Sequence, residues 1–116
     1  MLLCAACGGS PIAPSSAVTY APVQDPAAAT SLTYTADIQP ILAADCTACH
    51  SASRRDGGYD FTSYDGVLRA VIAGSAQSPL VRATQSNGAM YRNFRGSAAQ
   101  KAETIRRWVV DFGAAR

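Results

Sequence analysis

Cys46-Thr47-Ala48-Cys49-His50 is the stretch around which the rest of this chain can be read. Two cysteines three apart on one helical turn can direct their sulfurs at the two vinyl carbons of one porphyrin, and a histidine beside the second can ligate the iron. The spacing predicts covalent attachment of one c-type haem, with Cys46 and Cys49 as the thioether donors and His50 as the proximal metal ligand. An imidazole in that role is ordinarily oriented by a backbone carbonyl that accepts its other ring N–H.

Two rival chemistries fit less well. A dithiol redox site sits in a strand-to-helix setting with β-branched runs before it, and none precedes Cys46. Structural zinc needs a second pair of ligands, and neither Cys nor His occurs after His50.

At 116 residues the chain is long enough for one core and too short for two. Its net charge of +2, without an acidic or basic run, gives no footprint for nucleic acid. A domain this small buries little surface unaided, so a covalently held apolar disc would supply part of its core.

Met1-Leu2-Leu3-Cys4-Ala5-Ala6-Cys7 resembles the end of a bacterial lipoprotein signal, in which small residues precede a cysteine that is lipidated after cleavage. A complete signal has a charged start and a longer apolar stretch. The alternative is a disulfide between Cys4 and Cys7. Lipidation of Cys7 predicts a membrane anchor of more than one acyl chain on the periplasmic or cell-surface side. Residues 8–33 are rich in Gly, Ser, Ala, Thr and Pro and carry no apolar periodicity, which predicts a flexible tether averaging roughly 30 Å in span.

The folded domain is expected over 34–116, as an all-α arrangement of several short helices around the haem, the first and last crossing. Thr35 is the expected cap of a first helix that tolerates Pro40 early and places Ile38, Ile41 and Leu42 on one face. Thr62 and Asp65 form an acidic variant of a capping box ahead of Val67, Leu68, Val71 and Ile72, and Ser78-Pro79 opens another short helix. The last helix is the clearest: Ser97 and Gln100 read as a capping box, and Ile105, Trp108, Val109 and Phe112 follow at helical spacing before Gly113. Trp108 is assigned to the core rather than to a cofactor.

Tyr34-Thr35-Ala36-Asp37-Ile38-Gln39-Pro40-Ile41-Leu42 leading into the cysteine pair, Gly57-Gly58-Tyr59-Asp60-Phe61, Ser78-Pro79-Leu80 and the run from Ile105 to Ala114 together resemble a class I cytochrome c domain. The subtype is the monohaem one found in planctomycete-like and other bacterial lipoprotein cytochromes. The resemblance implies that a methionine in the loop before the last helix binds the other face of the iron. That position is Met90, a soft donor that favours ferrous iron and raises the potential; the alternative is a core gap-filler. The family commonly follows this methionine with stiffening prolines, whereas Tyr91-Arg92-Asn93-Phe94-Arg95 follow here.

Arg54, Arg55, Arg92 and Arg95 flank the two expected ligand segments. They read as solvated surface, as partners of the haem propionates, or as a positive rim toward an acidic partner. The resulting expectation is an extracytoplasmic electron carrier, not an enzyme, exchanging electrons with redox proteins or a membrane complex. Two alternatives stand beside it. One is a fixed haem subunit of a larger respiratory or photosynthetic complex, and the other is a peroxidase or gas-binding protein with an open iron position.

Overall fold

Ile38, Ile41 and Leu42 are fully buried, and they fix the first helix, α1 (Gln39–Asp45), against the body of the protein. The computed structural model of the chain describes Pro22 and residues 24–116; Cys4, Cys7 and the first part of the expected tether lie outside the described residues. Among the described residues the fold is all-α, with α2 (Tyr64–Leu68), α3 (Pro79–Thr84) and α4 (Ala98–Val110) after α1, and no strand. A single isolated bridge pairs His50 with Arg55.

The caps differ from those expected. α1 is preceded by a wide π-helical turn, Tyr34–Ile38, capped by Thr33 rather than Thr35: the Thr33 hydroxyl accepts from Ala36 N at 3.3 Å. The Thr33 N–H donates in return to Asp37 at 3.0 Å. α2 is capped by Ser63, whose Oγ accepts from Gly66 N at 3.0 Å, so the Thr62–Asp65 box does not form. The helix stops at Leu68, short of Val71, and leaves Ile72 56% exposed.

Ser78 does precede α3, but its hydroxyl turns back to the Ile72 and Ser75 backbone. Ser97 lies in the left-handed region at φ 52, just after Gly96 at φ 83, and makes no side-chain cap on α4. A capping hydroxyl needs extended backbone to reach the third N–H, and this geometry denies it.

The core forms where α4 packs on α3 and on the Tyr34–Ile38 turn that leads into α1. Ile105, Trp108 and Val109 are fully buried, each such side chain contributing about 1.5–3 kcal/mol of transfer free energy. Trp108 is core as expected, its indole N–H donating to Ala115 O at 2.8 Å. Tyr34 packs beside it, ring centroids 6.2 Å apart, and Tyr34 N donates to the same carbonyl at 2.9 Å.

The packed region begins earlier than Tyr34. Pro26, Ala29 and Leu32 are buried, and Arg107 donates to the Pro26 and Ala29 carbonyls while pairing with Asp111. The expectation of a tether through residue 33 is therefore corrected for 24–33. One leucine among alanines and prolines carries no periodicity, and the bonds that fix the segment go to backbone carbonyls, which have no sequence signature.

A candidate cofactor cleft between the cysteine turn and the methionine loop

The cysteine segment follows α1 as a hydrogen-bonded turn. Cys46 N donates to Leu42 O at 2.9 Å and His50 N to Cys46 O at 3.1 Å, so His50 follows Cys46 by one hydrogen-bonded turn. The chain then doubles back, with Asp56 N on Cys49 O and Phe61 N on His50 O. That return brings the Phe61 ring to 4.8 Å from the imidazole of His50, with Tyr59 stacked on Phe61 at 5.6 Å.

Opposite lies the methionine loop. Met90 N donates to Ala83 O at 2.8 Å, hanging the loop from the end of α3, and Asn93 Nδ2 approaches Met90 Sδ at 3.4 Å. A Cβ at Gly88 would collide with the carbonyl oxygens of Arg82 and Ala83, so any side chain there must push this loop away from α3. Backbone bonds and close approach stiffen the loop where prolines are missing.

Between the two segments opens a cleft of about 290 Å³, lined by Cys49, His50 and Met90 together with the apolar walls of Phe61, Ala70, Leu80 and Ala83. Cys46 is not on this wall. It borders an adjoining hollow of about 300 Å³ that shares Cys49, His50 and Asn93 with the first and adds Asp45, Arg92 and Arg95. Trp108 touches neither.

The His50 Nδ1 atom is buried and has no hydrogen-bond partner, so the orienting carbonyl expected for the ring is not in place. Packing against Phe61 fixes the imidazole instead. An orphaned buried nitrogen costs about 1–3 kcal/mol, which a well-packed structure ordinarily avoids.

The arginines do not form one rim. Arg54 pairs with Asp56 at 3.2 Å and Arg55 borders a separate hollow with Asp60 and Asp65, while Arg92 and Arg95 flank the cysteine side.

Lys101 and Asp45 were not legible as a pair. Lys101 Nζ meets Asp45 Oδ2 at 2.7 Å with both side chains 0% exposed, and it also donates to Arg95 O at 3.3 Å. Asp45 Oδ1 is buried without a partner. The available signal was positional: Asp45 continues the Ile38, Ile41, Leu42 stripe, and Lys101 lies four residues before Ile105 on the stripe of α4.

Burial, and then the Asp45 carboxylate, push the Cys46 thiol up to about 12 from its ordinary 9.0. Below pH 9 the folded and unfolded chains both hold this proton. Between pH 9 and about 12 the unfolded chain releases it while the folded chain keeps it, so stability falls as pH rises through that window. Urea unfolding of the haem-free protein is expected to show this decline, and Cys46→Ala to remove the part due to the thiol. Identical pH profiles for the two proteins would contradict the burial of this sulfur.

Comparison of the chain with models of protein families, with curated proteins and with solved structures finds no match.

Proposed function

We propose that the chain is an extracytoplasmic electron carrier of the class I cytochrome c type, holding one haem c through Cys46 and Cys49 with His50 and Met90 as axial ligands. The observation that carries this reading is the cleft: residues from distant parts of the sequence, a thiol, an imidazole and a thioether, line one apolar space. That donor set suits haem iron.

A bound haem would supply reversible one-electron exchange between ferrous and ferric iron. The protein's residues do the remainder. The apolar walls of Phe61, Leu80, Ala70 and Ala83 offer water no hydrogen-bond partner, which would keep the local dielectric low and let the ligand set and nearby charges govern the potential. His50 and Met90 would both ligate the iron of such a group, leaving no position for a substrate, which suits a carrier. Arg92 and Arg95, exposed beside the cysteines, present positive charge toward an acidic redox partner. Cys7, outside the described residues, is the proposed lipid anchor that keeps the domain at a membrane surface.

The test is production of the full chain in a host that matures c-type cytochromes. One haem per chain that survives denaturation, titrates reversibly as a one-electron couple and resists carbon monoxide is the expected result. A chain recovered without covalent haem overturns the assignment. Covalent haem that binds carbon monoxide at once favours the open-site alternative.

A further inference from the structure

We propose that Lys101 is a positioning residue that sets the spacing of the two ligand-bearing segments, an inference that rests on the haem reading. A buried ion pair is weak support for stability, because desolvating two charges offsets most of their attraction and an apolar pair of similar volume is often as stable. Lys101 and Asp45 are nevertheless completely buried, and Asp45 Oδ1 is left without a donor. That arrangement needs an explanation other than packing.

What the ammonium joins supplies one. Asp45 immediately precedes Cys46, so its carboxylate is the end of the segment that carries Cys49 and His50. Arg95 closes the loop that begins at Met90, and its carbonyl accepts from the same Nζ at 3.3 Å. Lys101 itself is rooted in α4, the longest helix among the described residues. One ammonium therefore ties the cysteine segment, the methionine loop and the core helix together.

The backbone around it is bent to suit. Gly96 and Ser97 are both left-handed, at φ 83 and φ 52, and a serine held there is strained. The bend turns the chain from the loop into α4 with Arg95 O within reach of Lys101. Phe94 is buried and meets Tyr91 of the same loop edge to face at 6.1 Å, and the Met90 N–H to Ala83 carbonyl bond holds the loop to α3, while Lys101 is the tie from the loop to the cysteine segment.

The test compares the wild-type holoprotein with Lys101→Met and with Asp45→Asn/Lys101→Met, the second of which buries no unpaired charge and keeps a folded variant available. Each is measured below its unfolding temperature, with the fold checked by circular dichroism. Both variants are expected to keep covalent haem, to lose the weak far-red absorption of ferric iron bound to a thioether, and to bind carbon monoxide in the ferrous form. Amide exchange at Met90, Asn93 and Phe94, each a donor in the loop, is expected to rise. A purely structural pair would lower the melting temperature and move none of these readouts. A folded double variant with wild-type spectrum, carbon monoxide resistance and amide exchange overturns the proposal. A wild-type chain without covalent haem overturns the reading beneath it, and the positioning role toward a haem falls with it.

Discussion

The double variant Cys46→Ala/Cys49→Ala is expected to release all of its haem on denaturation, and each single variant to keep it through one bond only. A thioether survives unfolding because it is covalent, whereas axial ligation and apolar packing end when the cleft opens. The two single variants are expected to differ in a second way. Cys46 packs against the core while Cys49 faces the cleft, so Cys46→Ala also creates a small void and lowers stability by about 1 kcal/mol. Mass spectrometry of the denatured chain reads the first effect and urea unfolding the second. Haem still attached to the denatured double variant would refute the attachment through these sulfurs.

Met90→Ala is expected to open the iron. The variant loses the far-red absorption, binds carbon monoxide when reduced, and has a potential lower by on the order of 0.1 V, within the roughly 0.8 V range that axial ligands span. The sign follows from the thioether, a soft donor that favours ferrous iron. The loop itself is expected to persist, because the Met90 N–H to Ala83 carbonyl bond is backbone and survives the substitution. Loss of ligation should therefore appear without general unfolding. A variant identical to wild type in spectrum and potential would leave Met90 as a gap-filler and move the assignment toward an open-site haem protein.

The helices were legible where an apolar stripe stood between unambiguous ends. α4 announced itself through Ile105, Trp108 and Val109, and α3 through Ser78-Pro79. The caps slipped by one or two residues wherever a second hydroxyl stood nearby, as with Thr33 against Thr35 and Ser63 against Thr62, because tertiary packing chooses between near-equal local options. Of the candidate site, Cys49 and His50 were readable from their spacing and Met90 through the family resemblance, and the three line one cleft. The walls were less so. Phe61 and Tyr59 acquire their roles only when the chain folds back on His50. Lys101 was hidden by its chemistry, since a lysine on a helix ordinarily indicates a solvated face and only its place on the stripe said otherwise.

The junction of Tyr34 and Thr35 with Ala115 and Arg116 bears on the order of events during synthesis. The Thr35 hydroxyl and the Arg116 carbonyl that join there are 81 residues apart in sequence. Closing so long a loop costs roughly 4 kcal/mol of chain entropy before any contact offsets it. α1 has only 7 residues, too few to persist alone in water. The cysteine turn that follows α1 therefore has no stable form until α4 emerges to meet it. A nascent chain presents Cys46 and Cys49 as accessible thiols on an open peptide, and the completed fold half-buries both. The proposed attachment of haem to these sulfurs would then fall in the interval before the ends of the domain find each other.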